Sequence, residues 1–241
     1  MVMANVNLNK QGVWTVNGEL TNPNLFLNAD FHSTYSQTTG WDTTKNGTLL
    51  ATSWGGYNAG VSNPSTCYHA HLTKLDGDFV YEYIKETEGW LGVSQGSNLQ
   101  SKLSLNTEYT FSVDQYVVEG SANYLDGGLY YYKTGATSAG FHLGLFNGRN
   151  KEKGRWIRLV YHFTTSSDMD LTKNVSWYIY GANGTGTVYM KQPKLEIGNK
   201  MTPFTLSSSE GYMEGNHGLI EKNNSVSIYN NFITAHEFYE I

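Results

Sequence analysis

The 241-residue chain contains a single cysteine, Cys67, and little charge. One thiol cannot form an internal disulfide framework and supplies no thiolate cluster for zinc, so Cys67 reads as a small core residue. Charged side chains make up only 15% of the residues and sum to −5, and no run of basic residues appears. Nucleic-acid binding draws most of its affinity from clustered lysine and arginine, so a nucleic-acid partner is not expected. No segment approaches the roughly 18 apolar residues of a membrane-spanning helix. Met1-Val2-Met3-Ala4-Asn5 also lacks the basic and apolar regions of a secretory signal. The expectation is a soluble chain made in the cytoplasm, with no membrane partner.

What is abundant points to strands and turns. Tyrosine (18) and threonine suit half-buried pleated surfaces, while glycine (26) and asparagine suit the turns between them. The periodicity is mostly two rather than 3.6, and no helix with a clear apolar stripe emerges. Tyr109, Phe111 and Val113 alternate with Thr110, Ser112 and Asp114. Ile157, Leu159, Tyr161 and Phe163 alternate with Trp156, Arg158 and His162, and Val175, Trp177 and Ile179 with Ser176, Tyr178 and Tyr180. Such alternation puts an apolar set on one face and a polar set on the other. Further strands are expected at 49–54, 67–73, 79–84, 128–133, 141–146 and 186–196. Turn chemistry separates them at Asn46-Gly47, Asp76-Gly77, Asp126-Gly127-Gly128, Asn147-Gly148 and Asn183-Gly184. About nine or ten strands at this spacing make an all-β, two-sheet sandwich of the jelly-roll kind.

Two segments bracket this region: Asn24-Leu25-Phe26-Leu27-Asn28-Ala29-Asp30-Phe31, and Tyr189-Met190-Lys191-Gln192-Pro193-Lys194-Leu195-Glu196-Ile197-Gly198. They read as the opening and closing strands of one domain. The entry pattern N-L-x-x-N-x-x-F … G-W and the exit pattern Q-P-K-L-E-x-G … T-P-F resemble the carbohydrate-binding-module type of β-sandwich found in tail, fibre and other virion proteins of bacteriophages. The resemblance covers roughly Asn22 to Leu206. It implies a lead-in segment at 1–21, a carbohydrate-binding-like sandwich at 22–206 and a C-terminal extension at 207–241. It also implies a location on the virion, with host-surface polysaccharide and other virion proteins as partners and a homo-oligomeric assembly. No cofactor is required. A structural calcium is the one metal the resemblance offers, with Asp30 and Glu196 as the bookend acids placed to contribute.

The extension carries Glu210, Glu214, Glu221, Glu237 and Glu240 against Lys222, and so supplies four of the five net negative charges. Its apolar residues Ile228, Phe232, Ile233, Phe238 and Ile241 are too many for a disordered acidic tail and too few for a core of their own. Either the extension packs back on its own sandwich or it docks on a neighbouring subunit, as by adding a strand to a sheet edge.

The stretch expected to carry a ligand runs from Trp54 through Gly55-Gly56-Tyr57-Asn58 to His69 and His71. Aromatic rings there flank flexible glycines, Asn58 offers both donor and acceptor, and the two histidines share a strand face. A flat ring beside amides and imidazoles suits the apolar face and hydroxyl rim of a sugar. The plainer alternative is that these rings plug the end of the sandwich. Trp41 and Trp90 are candidates to extend the rim. A second cluster comprises Tyr124, Tyr130, Tyr131, Tyr132 and His142, in which the middle residue of 130–132 must face away from its neighbours. If the strand bearing Trp156 and Arg158 lies beside the strand bearing Tyr178 and Tyr180, their polar faces merge into one aromatic surface. Such a surface serves a glycan or a subunit interface equally well.

Catalysis is not expected. Asp76 with Asp78, Glu86 with Glu88 and Asp168 with Asp170 sit in turn-like sequence, where solvated loop acids are the rule. His69 and His71 have no third metal ligand nearby in sequence. Three functions remain: a virion protein adsorbing to host glycan, a purely structural virion component used in assembly or decoration, and a non-catalytic module of a bacterial glycan-degrading system.

Overall fold

The computed structural model describes residues 6–8, 14–16, 19–36, 49–59, 70–96, 98–182, 184–207, 218–222 and 225–229. Strands β1 (Val6–Leu8), β2 (Trp14–Val16) and β3 (Glu19–Thr21) form a three-stranded antiparallel sheet. A short ladder joins β4 (Thr34–Ser36) to β5 (Leu49–Ala51). Ten strands then build two sheets: β6 (Gly55–Ala59), β7 (Ala70–Leu75), β8 (Asp78–Lys85), β9 (Trp90–Gln95), β10 (Glu108–Val117), β11 (Leu125–Tyr131), β12 (Phe141–Asn147), β13 (Trp156–Thr164), β14 (Ser176–Gly181) and β15 (Gly186–Ile197). Beyond them β16 (Gly218–Lys222) and β17 (Ser225–Tyr229) pair as a two-stranded ladder.

The first five-stranded sheet has the order β13-β10-β15-β8-β7 and the second β12-β11-β14-β9-β6, with antiparallel neighbours throughout. Along β6–β15 the chain passes from one sheet to the other at every connection except β7–β8 and β11–β12. This is the two-sheet jelly-roll sandwich expected from the alternation. One expectation fails: β13 and β14 lie in different sheets, so the Trp156/Arg158 face and the Tyr178/Tyr180 face do not merge.

The inward residues are those the period of two selects. Tyr109, Phe111 and Val113 on β10, Tyr81 and Tyr83 on β8, and Trp177 and Ile179 on β14 are all buried in one continuous core. The Phe111 and Trp177 rings meet 4.5 Å apart between the two sheets. The Tyr83 hydroxyl donates to the Ile179 carbonyl at 3.2 Å, satisfying a buried phenol across the same gap. Each such large apolar side chain contributes about 1.5–3 kcal/mol by leaving water.

The bookends meet, although the opening one is not a strand. Residues 22–31 run as bends and turns, with Asn28 and Phe31 in the left-handed region at φ 49° and 61°. Asn24 replaces a ladder with its side chain: its amide donates to the Pro193 carbonyl at 2.9 Å, and its oxygen accepts from the backbone N–H groups of Phe26 and Leu195. Asn28 likewise ties Ser33 and Thr52, while Phe26 and Phe31 enter the core. At the exit, Lys194 and Glu196 form a pair with 0% exposure, 3.2 Å apart. The Lys194 ammonium also reaches Thr202 and the Pro203 carbonyl, and Glu196 accepts from the backbone and hydroxyl of Thr202. The recurring N-L, K-L-E and T-P-F letters are therefore the parts of one clasp.

Candidate functional site

Strand alternation on β14 sends Trp177 and Ile179 inward, so Tyr178 and Tyr180 stand on the outer face of the second sheet. Their rings are stacked, 5.4 Å apart at 13°. On one side Tyr130 of β11 meets Tyr178 at 5.8 Å, and His142 of β12 meets Tyr130 at 4.9 Å. On the other side Trp90 of β9 meets Tyr180 edge to face at 5.5 Å. The five rings form an unbroken stripe across four adjacent strands, a span of about 15 Å at the usual strand spacing. Trp90 at one end is 38% exposed. Gly92, opposite Tyr180, keeps the strand between Tyr180 and Tyr57 free of a side chain, since Tyr57 of β6 occupies the next position in the same cross-strand row.

The charge on this sheet is unusual. Strands β6, β9, β11, β12 and β14 contain no lysine or arginine, and Asp126 is their one carboxylate. Burial raises the Asp126 pKa from the ordinary carboxylate value, and the Asn147 side-chain amide donates to it at 3.0 Å. Every strand of the other sheet carries at least one charged residue. The aromatic stripe therefore presents rings with hydroxyl, imidazole and indole edges and little net field.

The other outer face holds a row that crosses all five of its strands: Trp156, Tyr116, Tyr189, Glu82 and His71. Here the polar groups satisfy one another. Glu82 accepts from the Tyr189 hydroxyl at 2.9 Å and lies 3.0 Å from His71 Nε2. The His71 contact lowers the Glu82 pKa, whereas burial and then Glu82 push Tyr189 up to about 12. Lys191 covers the Trp156 ring at 4.7 Å and pairs with Asp78. Arg158 is held by Asp114, the Ser112 hydroxyl and the Gln192 carbonyl.

The expected ligand residues are thus dispersed. Trp54 is corrected from a ligand ring to a core residue: it is 1% exposed, wedged between Phe26 and Phe31, and its indole N–H donates to the Leu27 and Asn28 carbonyls. Tyr57 and Asn58 belong to strand β6 rather than to a loop. Trp156, Arg158 and His71 lie on the first sheet, already engaged as described, and among the expected residues whose side chains are described Trp90 alone joins the stripe. His69, Trp41 and Cys67 lie outside the described residues. Tyr131 is buried, Tyr130 faces out, and Lys173 covers the ring of Tyr132, as the alternation within 130–132 requires. What sequence reasoning missed is the joining of Tyr130, Tyr178, Tyr180 and Trp90. The one available signal was outward aromatics on strands free of charge.

The calcium ligands do not fit. Glu196 is fully buried as the counter-ion of Lys194, with Thr202 occupying its remaining acceptor positions, and Asp30 pairs with His32 at 3.1 Å. Among the described residues no three His, Cys, Asp or Glu side chains converge as metal ligands.

No protein-family model and no curated protein matches the sequence. Solved structures resemble the fold. A Bacteroides thetaiotaomicron protein with a proposed sugar-binding role has a TM-score of 0.50 at 13% identity, over 73% of this chain and 100% of its own. The C-terminal family 22 carbohydrate-binding module of Clostridium thermocellum Xyn10B gives 0.48 at 14% identity, over 73% and 98%. The Stig cyclase Fisc of Fischerella sp. TAU gives 0.48 at 13% identity, over 75% and 100%. At such identities the likeness is one of fold: this chain is a two-sheet β-sandwich, a scaffold that by itself assigns no activity.

Proposed function

We propose that this chain is a non-catalytic glycan-binding protein that lays an extended, neutral polysaccharide across the outer face of the second sheet. The observation that carries this reading is the unbroken aromatic stripe His142–Tyr130–Tyr178–Tyr180–Trp90 on a sheet almost free of charge. Rings stack on the C–H faces of pyranoses, and hydroxyl and imidazole edges meet their hydroxyls. A stripe about four strands wide suits several linked units rather than one sugar. The absence of lysine and arginine from these strands disfavours an anionic polymer. The resemblance of the bookends to phage sandwiches supports a virion setting, with host-surface polysaccharide as the ligand and the C-terminal extension as the docking element. A module of a bacterial glycan-degrading system would use the same face. Affinity electrophoresis in gels containing neutral or acidic polysaccharides tests the reading. Retardation by at least one neutral polymer is expected, and a folded protein retarded by none would turn the account toward a structural assembly role.

A further inference from the structure

Four of the connections that carry the chain between sheets, β8–β9, β10–β11, β12–β13 and β14–β15, gather at one end of the sandwich, and all four line a single cavity of about 410 Å³. Glu88 comes from the first, Ser121, Asn123 and Tyr124 from the second, Arg149, Asn150 and Lys153 from the third, and Thr185 from the fourth. The volume is in the range of small-molecule sites, which span roughly 300–1,000 Å³. Its wall is mostly hydroxyls, amides and charges, with Tyr124 its one aromatic ring among the lining residues, so a drug-like or lipid ligand does not suit it.

Charge narrows the ligand further. The third connection concentrates cations within a chain that is acidic overall: Arg149, Lys151, Lys153 and Arg155 lie within seven residues, interrupted by one acid. That acid, Glu152, is taken by Arg155. The Lys153 ammonium rests on the Ser121 carbonyl at 2.6 Å and, among the described residues, has no carboxylate within ion-pair distance. Among the described residues the Arg149 guanidinium has no carboxylate partner. Two cations therefore face a cavity with one carboxylate, Glu88, on its wall. A guanidinium is suited to bidentate pairing with a carboxylate or sulfate. Glu88, Asn150 and Thr185 supply the acceptors and donors that ring hydroxyls require.

We infer that this loop-end cavity is a second ligand site, which takes one anionic sugar unit with its acid group on Arg149 and Lys153 and its hydroxyls on Glu88, Asn150 and Thr185. The site shares no residue with the aromatic stripe and differs from it in charge. The test titrates the full chain, followed by NMR, with glucuronic acid, galacturonic acid, glucose 6-sulfate, glucose and inorganic sulfate. At least one acidic sugar is expected to bind. Glucose and Arg149→Ala should each weaken that binding about tenfold or more, the loss expected for a charged hydrogen bond, while Tyr180→Ala leaves it unchanged. Because Arg149 is exposed, its replacement is not expected to disturb folding. The response to uronic acids against glucose 6-sulfate tells which acid group is preferred. Equal binding of glucose, equal binding of inorganic sulfate alone, full retention in Arg149→Ala, or no binding of any acidic sugar would each overturn the inference.

Discussion

Trp90 and Tyr180 meet edge to face across neighbouring strands, their ring centres 5.5 Å apart. The contact is a diagonal one, because the residue directly opposite Tyr180 on β9 is Gly92. Each ring is positioned by an inward neighbour: Leu91 is buried beside Trp90, and Ile179 is buried beside Tyr180. The core thus sets the direction of both rings before any ligand arrives, so little side-chain entropy remains to be lost on binding.

Gly92 makes that arrangement possible. A Cβ at this position would come within 2.2 Å of the Ile179 carbonyl oxygen and 2.7 Å of the Tyr180 Cα, both backbone atoms that cannot turn aside. Gly92→Ala is expected to lower stability by about 2–3 kcal/mol, an overpacking cost. Urea unfolding measures it, and an unchanged midpoint would refute the close approach of β9 and β14.

The clasp between the ends of the sandwich makes a second prediction. Asn24→Ala removes a buried amide that satisfies Pro193, Leu195 and Phe26, and should cost about 2–4 kcal/mol. Asn24→Asp keeps both acceptor bonds but loses the donor to Pro193, so it too should be destabilised. Stability equal to the parent in both variants would show that the opening segment is not held by this side chain.

Stability should also depend on pH in an unusual direction. Lys85 is buried against the carbonyls of Gly89 and Gly181, and burial lowers its pKa from 10.5 to about 8. Between these two values the unfolded chain holds a proton that the folded protein has released. Stability therefore rises with pH across that window, by at most about 1.4 kcal/mol per pH unit for this one proton. Burial of Lys194 acts in the same direction. Above pH ~10 the trend reverses, because Tyr81 and Tyr83 are raised by burial and the unfolded chain loses their protons first. Thermal unfolding at pH 7.5, 9.5 and 11 should give the highest midpoint at the middle value. A steady fall from 7.5 would contradict the burial of the Lys85 ammonium.

Much of the fold was legible because alternation is local. Strands β10, β13 and β14 display their inward and outward sets in consecutive letters, and Asn24, Lys194 and Thr202 recur as parts of a pattern. Strand β9 escaped notice because Gly92 interrupts a six-residue run, and β6 because Gly55-Gly56 reads as a loop. Trp54 shows a different obstacle. Its burial depends on Phe26 and Phe31, more than twenty residues earlier, and nothing adjacent to it in sequence marks it as core. Sheet membership is equally non-local: β13 and β14 follow one another in the chain yet lie in opposite sheets, so the true aromatic stripe joins Tyr178 to Tyr130 rather than to Trp156.

The most direct test of the glycan-binding face is calorimetric titration of the chain with a soluble neutral polysaccharide, alongside Tyr180→Ala and Trp90→Ala. The account predicts saturable binding that falls about tenfold or more in each variant while the unfolding midpoint stays close to that of the parent, as expected for rings on the outer face rather than in the core. Full affinity in both variants would contradict the account and remove the stripe as the binding face.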